Sequence, residues 1–184
     1  MPILSTGNEL IDPVKLLEQA GIRTGMTVAD FGCGTLGHYV FPAAQMVGPN
    51  GKVYAIDILK SVLNSIEGRK KIENALNIET VWGDLETING ISLPDNCLDI
   101  GLIINNLFMS TQKEAMVKEC TRMIKTDGVM IIADWKLAGV NFGPPAESRV
   151  SPQEARHMAA NAGLTLIKEF DAGKYHYGLV FRKK

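Results

Sequence analysis

The sequence predicts an α/β fold, in which a doubly wound, mostly parallel sheet of seven strands has helices on both faces and ends in an antiparallel β-hairpin. Three observations support this prediction. An apolar run that ends at Asp30 is followed at once by a glycine-rich turn. Helical patterns then alternate with continuous apolar runs, as expected for strands that are buried on both faces. The last two apolar segments, 164–170 and 175–181, are separated by a short connection that contains a glycine, which indicates a hairpin.

The helices are predicted from apolar periodicity together with start and stop signals. Helical patterns occupy residues 13–20, 38–46, 61–75, 111–124 and 151–162. Asp12 is the expected N-cap of the first helix, Pro13 its first residue and Gly21 its stop. Thr111 and Ser151 each precede a glutamate by three residues, which predicts a capping box at the start of two further helices.

The strands between these helices end at polar side chains. The five residues at the predicted strand ends are Asp30, Asp57, Asp84, Asn105 and Asp134. Because the carboxyl ends of parallel strands lie at the same edge of a sheet, we expect these side chains to line one edge. Ligands of doubly wound sheets bind outside that edge, at the point where the strand order reverses.

The turn after the first strand predicts a nucleotide-type ligand. Gly32, Gly34 and Gly37 fit the pattern Gly-x-Gly-x-x-Gly, and Asp57 follows at the end of the second strand. Glycine permits a positive φ and lets a ligand approach bare backbone. A carboxylate at the end of the second strand can accept hydrogen bonds from a ribose diol. These glycines alone leave open which adenosine-containing ligand binds.

Asp30 distinguishes between the candidate ligands, because it extends the pattern to Asp-x-Gly-x-Gly. This pattern resembles motif I of class I S-adenosylmethionine-dependent methyltransferases, and the resemblance continues from about residue 12 to the C-terminus. It implies a Rossmann-like methyltransferase fold. An acid suits the positive amino group of that cofactor and would repel the pyrophosphate of a dinucleotide. One departure is that the family commonly has its third glycine at the position of Leu36, whereas this chain has Gly37.

The resemblance also implies S-adenosyl-L-methionine as cofactor and S-adenosyl-L-homocysteine as product. By similarity, Gly32 and Gly34 would bring backbone close to the methionine and ribose portions. Asp30 would hold the amino group through water, and Asp57 would bind the ribose hydroxyls.

The remaining cofactor contacts implied by the family come from the second, third and fourth strands. Ile58 would pack on the adenine, and Asp84 would face its exocyclic amine. Leu85 would supply another apolar contact, and Asn105 would line the methionine end.

Composition restricts the domain organisation and the partners. The 184 residues suit a single domain, 1–184, and no apolar run approaches the roughly 18 residues that span a bilayer. We see no secretory signal and expect a cytoplasmic protein.

The charge of the chain restricts its partners. A net charge of −1 disfavours a nucleic-acid substrate. The basic clusters 69–71 and 182–184 are expected on a helix surface and in a tail, respectively. Three scattered cysteines indicate neither a disulfide framework nor a metal site. The oligomeric state is left open.

Methyl transfer demands little acid–base chemistry, because the sulfonium is already activated and the reaction is an in-line displacement. A base is needed only if the acceptor must lose a proton. His38, which follows the glycine turn, and Asp134, at the end of the fifth strand, are candidates, and His38 could equally be an exposed histidine at a helix start. We expect His157 and His176 to be structural.

The acceptor would bind through the N-terminal segment 1–11 and the loops. Trp135 could form a flat apolar wall, although simple packing is an equal alternative. The segment 137–150, rich in glycine and proline, is a candidate lid with Phe142 and Arg149 as possible substrate contacts, or else only a connector.

Three functions therefore remain. The leading hypothesis is a methyltransferase that acts on a small-molecule acceptor, perhaps of quinone or lipid type. A non-catalytic S-adenosylmethionine-binding protein or partner subunit is the alternative. An NAD(P)-dependent oxidoreductase is less favoured, because the chain lacks the Tyr-x-x-x-Lys pair of short-chain reductases.

Overall fold

The computed structural model describes residues 10–137 and 142–184. Its strands are β1 (Thr27–Phe31), β2 (Lys52–Asp57), β3 (Ile78–Trp82), β4 (Leu98–Ile104), β5 (Ile124–Trp135), β6 (Leu164–Gly173) and β7 (His176–Lys183). Its helices are α1 (Pro13–Gln19), α2 (Val40–Val47), α3 (Lys60–Glu73), α4 (Lys113–Met123) and α5 (Pro152–Asn161). Short 3-10 turns cover Leu107–Met109 and Ala146–Ser148.

The seven strands form one sheet in the order β3-β2-β1-β4-β5-β7-β6. β1 to β5 are parallel to one another, whereas β7 is antiparallel to both β5 and β6. The predicted mostly parallel sheet with a terminal hairpin is therefore confirmed. The strand order reverses between β1 and β4, which places the expected ligand crevice at the carboxyl ends of these two strands.

Two apolar layers enclose the sheet. The first layer joins one sheet face to α1, α2 and α3, and includes Leu17, Val28 and Ile66. The second layer joins the other face to α4 and α5, and includes Phe31 and Val117. Successive strand residues alternate between the two layers because strand side chains point to opposite faces. Both faces are covered, which accounts for the continuous apolar runs of the sequence.

Of the three helix starts that were predicted from capping residues, two are confirmed. The carboxylate of Asp12 accepts hydrogen bonds from the N–H groups of Val14 and Lys15 at 3.0 and 3.2 Å. Ser151 forms its capping box with Glu154. The predicted box at Thr111 is wrong: α4 begins at Lys113, and Gln112 is its N-cap residue without a side-chain cap bond.

The ends of the chain's last strands also differ from expectation. β6 runs to Gly173 and β7 starts at His176, so the turn is shorter than the predicted 171–174. Lys183 belongs to β7 rather than to a tail, and its Nζ donates to the carbonyls of Thr121 and Ile124 at 2.9 and 2.8 Å. These carbonyls end α4, where a cation interacts favourably with the helix dipole. Within the described residues, no helix is both long and apolar enough to cross a membrane.

Candidate active site

Two glycines of the turn after β1, Gly32 and Gly34, have a positive φ but different surroundings. Gly32 has φ +77°, and a Cβ there would lie 2.5 Å from Oδ1 of Asn106. Gly34 has φ +65°, and a Cβ there would meet none of the described atoms within 4 Å. A side chain at Gly32 would therefore collide with the fold. At Gly34 the backbone faces open space, where a ligand can approach it.

Asn106 holds this turn against the end of β4. Its side-chain amide donates to the carbonyls of Phe31, Gly32 and Ile104 at 2.8, 3.2 and 2.9 Å. The family resemblance predicted a cofactor contact at the preceding residue, Asn105, instead. Asn105 has φ +55°, and its buried Oδ1 has no hydrogen-bond partner among the described residues. Two adjacent asparagines therefore have different surroundings, and the expected cofactor role of Asn105 stays a prediction.

Asp57 connects the second strand to the glycine turn. It is 8% exposed, and its Oδ2 accepts a hydrogen bond from the N–H of Gly34 at 3.3 Å. Its Oδ1 accepts one from the N–H of Leu59 at 2.9 Å. Each carboxylate oxygen has more than one lone-pair site, so both keep acceptor capacity for a further donor such as a ribose hydroxyl.

The glycine turn, Asn106 and Asp57 border a cavity of about 590 Å³, whose described lining does not include Asn105 or Asp30. Its volume is typical of small-molecule sites. Six predicted cofactor residues line it: Gly32, Gly34, Asp57, Ile58, Asp84 and Leu85. The lining also includes residues that the sequence analysis missed, among them Leu59, Val62, Glu86, Asn106, Thr111 and Met116. The missed residues mostly follow a predicted one by a few positions or lie just before α4, where no motif marks them.

The walls of the cavity combine apolar surface with hydrogen-bonded loop residues. Ile58 is 52% exposed at its mouth, and its carbonyl accepts from Trp82 Nε1 at 2.8 Å. Glu86 and Thr111 both line the cavity, and the Glu86 carboxylate accepts from the Thr111 N–H at 3.0 Å and from the Thr111 hydroxyl at 2.7 Å. This contact uses the hydroxyl that was expected to cap α4. A hydrogen bond to a charged carboxylate is stronger than one between neutral groups, which favours the contact with Glu86 over the helix cap.

Asp84 lies beyond the end of β3, and its own loop uses both carboxylate oxygens. Oδ1 accepts from the Glu86 N–H at 2.9 Å, and Oδ2 accepts from the Thr87 hydroxyl at 2.8 Å. The carboxylate thus shapes the loop that carries Leu85 into the cavity wall. Its expected contact with the adenine amine would use the remaining lone pairs and stays a prediction.

Asp30 is the most unusual carboxylate at this edge of the sheet. It is 2% exposed, and Oδ2 has no hydrogen-bond partner among the described residues. Burial, with a smaller contribution from the charge of Asp57, raises the pKa of Asp30 to about 7. A buried carboxylate with a free acceptor oxygen is costly unless a cation or a donor reaches it. The amino group of S-adenosylmethionine, bound directly or through water, has the required charge.

The two base candidates do not join this cavity. Asp134 is 0% exposed, and its oxygens accept from the N–H groups of Trp135 and Phe108 at 2.7 and 3.3 Å. Burial raises the pKa of Asp134 to about 6. His38 is partly buried in the turn before α2, and the described lining of the cavity does not include it. The position of Asp134 inside the sheet favours a structural role, and neither prediction of a base gains support.

The three expected acceptor contacts do come together. The rings of Trp135 and Phe142 meet edge-on with centroids 5.8 Å apart, and the Arg149 guanidinium lies 6.0 Å from the Trp135 ring centroid. Arg149 is 9% exposed and donates to the carbonyls of Lys136 and Pro144 at 3.1 and 3.0 Å. It therefore fastens the segment after β5 to the end of that strand.

The structure describes only part of the candidate lid and of the N-terminal segment. Of segment 137–150, residues 138–141 lie outside the described residues, as do residues 1–9 of the N-terminal segment. The described part, 142–150, contacts Trp135 through Phe142 and Gly143. Its role as a lid stays a prediction.

A larger cavity of about 830 Å³ lies elsewhere, between α4, α5 and the turn at residues 146–148. Charged side chains, including Glu114, Glu147 and Arg156, dominate its lining, together with the expected substrate contact Arg149. The described lining contains none of the glycines or strand-end acids of the first cavity. Ligand sites are mostly apolar with a few placed polar groups, so the more apolar cavity at the glycine turn is the candidate site. No group of His, Cys, Asp or Glu within the described chain is arranged to hold a metal ion.

Comparison with known proteins identifies the family of this chain. The sequence model of a family described as "Methyltransferase domain" matches residues 22–174. The ubiquinone/menaquinone biosynthesis C-methyltransferase UbiE of Salmonella arizonae is 28% identical over 162 residues, which cover 86% of this chain and 61% of that protein. UbiE of Escherichia fergusonii is 32% identical over 122 residues, which cover 65% of this chain and 46% of that protein. The chain thus spans about half to three fifths of the length of these curated relatives.

Solved structures show the same similarity. A SAM-dependent methyltransferase from Aquifex aeolicus superposes with a TM-score of 0.87 at 30% sequence identity. The superposition covers 96% of this chain and 92% of that one. Sequence and structure comparisons therefore converge on one family.

Proposed function

Because the chain belongs to the class I S-adenosylmethionine-dependent methyltransferases, we propose that it transfers a methyl group from this cofactor to a small organic acceptor. The cofactor supplies a methyl group that its sulfonium has already activated. The protein then has to hold the cofactor, place the acceptor nucleophile about 3 Å from the methyl carbon and in line with the leaving sulfur, and exclude water.

Holding the cofactor is the task of the residues around the cavity. In this proposal Asp57 accepts hydrogen bonds from the ribose hydroxyls with the lone pairs that Gly34 and Leu59 leave available. Asp30 holds the amino group through its unpartnered Oδ2. The half-exposed Ile58 and the buried Leu85 enclose the adenine between apolar surfaces.

The observation that carries the proposal is the cavity of about 590 Å³ whose lining unites the glycine turn with Asp57, Asp84 and Leu85. A dinucleotide would use the same turn for its pyrophosphate. Burying that double negative charge beside Asp30 would be unfavourable, because like charges repel strongly where water is excluded. The oxidoreductase hypothesis is therefore not supported.

The acceptor is proposed to be a small molecule of quinone type. The relatives named above act in ubiquinone and menaquinone biosynthesis by name, and their low identity makes them a guide to the substrate class alone. An aromatic wall formed by Trp135 and Phe142 suits a flat apolar ring.

The first test is calorimetric titration with S-adenosylmethionine, S-adenosylhomocysteine and NADH. We expect micromolar binding of the first two ligands. In the variant Asp57→Ala their affinity should fall about 100-fold or more, because two hydrogen bonds to a charged acceptor are lost. The matched control is Asp95→Ala, whose side chain is 65% exposed and pairs with Arg122 away from the cavity; its affinities should equal those of the wild type.

Binding of NADH alone would contradict the proposal. If the two adenosyl ligands bind as expected, turnover must still be shown. Incubation with radiolabelled S-adenosylmethionine and a panel of hydroquinones should release labelled product. Tight binding without turnover over a broad acceptor panel would favour the non-catalytic binding protein.

A further inference from the structure

Buried polar atoms without partners extend beyond the cofactor cavity along the same edge of the sheet. His176, the first residue of β7, is 0% exposed, and neither of its ring nitrogens has a hydrogen-bond partner among the described residues. Leaving a buried donor or acceptor unpaired is unfavourable. A fully apolar residue would avoid this cost, so the imidazole is unexplained by packing alone.

His176 belongs to an aromatic cluster with Trp135, Phe142 and Tyr175. The His176 and Trp135 rings lie 4.2 Å apart between centroids, Trp135 meets Phe142 at 5.8 Å, and Phe142 meets Tyr175 at 4.8 Å. Phe142 is 47% exposed, whereas Trp135 is 7% exposed. Phe142 is thus the most exposed member of the aromatic cluster.

The strand register places this cluster at the same edge of the sheet as the end of β4. Trp135 pairs with His176, and Ala133, two residues before Trp135, pairs with Ile104 at the end of β4. Because β5 lies between β4 and β7, two strand spacings, or about 10 Å, separate the end of β4 from the start of β7. Asn106, which lines the cofactor cavity, follows the end of β4 by two residues. The aromatic cluster and the cofactor cavity therefore adjoin the same edge of the sheet.

The protonation state of His176 suits recognition of a hydroxyl group. Burial, with a smaller effect from the positive charge of Lys136, lowers the pKa of His176 to about 4. The ring is therefore neutral at pH 7 and offers one donor and one acceptor nitrogen.

Resting on the proposed methyl transfer, we propose that the aromatic cluster is the acceptor subsite and that His176 hydrogen-bonds a hydroxyl group of a flat aromatic acceptor. Trp135 and Phe142 provide apolar surface for the rings, and the unpaired nitrogens of His176 orient the hydroxyl. This assigns a binding role to a histidine that the sequence analysis treated as structural.

The test compares 2-naphthol with 2-methoxynaphthalene, which has the same rings but no hydroxyl proton. Binding is measured by calorimetry on protein saturated with S-adenosylhomocysteine. We expect the wild type to prefer 2-naphthol. His176→Phe keeps an aromatic ring beside Trp135 but should weaken 2-naphthol binding about five- to tenfold, because one hydrogen bond is lost, and should leave 2-methoxynaphthalene unchanged.

The neighbouring residue provides a matched control. Tyr177 also has a buried, unpartnered polar atom, but it packs in the second layer on the opposite face of the sheet. Tyr177→Phe should bind both naphthalenes as the wild type does. Melting temperatures are recorded for each variant, and His176→Phe should melt no lower than the wild type because it removes two unpaired nitrogens.

Several results would overturn the inference. These are equal binding of the two naphthalenes by the wild type, absence of 2-naphthol binding, or an equal loss in Tyr177→Phe. If His176→Phe fails to fold, His176→Gln is used, whose amide should retain part of the hydroxyl preference. Failure of S-adenosylhomocysteine to bind the wild type would instead refute the proposed function, so the two failures are distinguishable.

Discussion

At the scale of single residues, Asp30 shows how a carboxylate can be placed for a cationic ligand. The end of β1 buries it almost completely, and Asp57 adds a second negative charge nearby. Both effects destabilise the charged form, so the protein without ligand keeps Asp30 partly protonated near neutral pH. A cationic group that reaches the free oxygen would reverse this effect. Ligand binding and proton release at Asp30 are therefore coupled.

This coupling predicts a pH dependence of cofactor affinity. The pKa of Asp30 is raised to about 7 in the free protein. Below that pH the carboxyl group must lose a proton before it can hold the amino group, so affinity for S-adenosylhomocysteine should fall up to tenfold per pH unit. Above pH 7 the affinity should become constant. Calorimetry between pH 5.5 and 8 measures the affinity at each pH.

Asp30→Asn is the control, because it keeps the shape of the side chain without a titratable group. The ratio of wild-type to variant affinity cancels any titration of the ligand itself. We expect this ratio to increase with pH and to reach a plateau above pH 7. A ratio that is constant across the range would contradict the assigned role.

At the scale of elements, α4 secures the loop that carries Asp84 and Leu85. Glu119 on α4 is 0% exposed, and its carboxylate accepts from the N–H groups of Asn89 and Ile91 at 2.8 and 3.1 Å. Arg122 completes the interaction with a bond to Glu119 Oε1 at 2.7 Å. Burial raises the pKa of Glu119, but the bonds from Arg122 and the two backbone N–H groups outweigh it and leave the pKa below its ordinary value.

Removal of this buried carboxylate should be strongly destabilising. Glu119→Ala leaves two backbone donors unpaired and Arg122 without its buried partner, so we expect a loss of about 3–5 kcal/mol in the free energy of unfolding. Urea denaturation measures it. Glu114→Ala, an exposed glutamate on the same helix, should change stability by less than about 0.5 kcal/mol.

The lowered pKa also predicts how this contribution depends on pH. A depressed carboxylate pKa contributes stability that is fully present above the unfolded-state pKa and is lost as the pH falls through the folded-state value. The difference in stability between the wild type and Glu119→Ala should therefore be constant near neutrality and shrink under acidic conditions. A difference that grows on acidification would show that Glu119 is not ionised in the folded protein.

At the scale of the whole molecule, the cavity is formed by segments from distant parts of the chain. The glycine turn, the segment after β2, the loop after β3 and the segment before α4 all line it. A ligand that contacts all four binds only the folded chain. Ligand binding and global stability are therefore linked.

This linkage predicts thermal stabilisation by the cofactor product. At a concentration of 100 times its Kd, S-adenosylhomocysteine should stabilise the protein by about 2.7 kcal/mol. For a chain of this size that corresponds to a rise in Tm of about 5–10 °C. Differential scanning fluorimetry measures it, with NADH as the ligand expected to give no shift. At the same ligand concentration Asp57→Ala should lose most of the rise.

Patterns that are local in the sequence predicted much of the site. The turn residues Gly32 and Gly34 and the acid Asp57 could be found because a ligand-binding turn needs glycine conformations and a strand-end carboxylate at a typical spacing. Asn106 and the Glu86–Thr111 contact could not, because their partners are far away in the chain. Neither the periodicity nor the spacing of residues in a sequence indicates which distant carbonyl group a side-chain amide will contact.

The order of helices and strands, the mostly parallel sheet with its terminal hairpin and the type of ligand expected at the glycine turn could all be predicted from the sequence alone. Apolar periodicity, helix caps and glycine conformations are short-range properties, so they can be read from neighbouring residues. Which polar groups are buried, and which of them lack partners among the described residues, depends on the tertiary structure. Asp134 is fully buried at the end of β5, and Asp30 and His176 have atoms without a partner in the described part of the chain. Burial depends on side chains from several strands and helices at once, and a single segment does not contain that information.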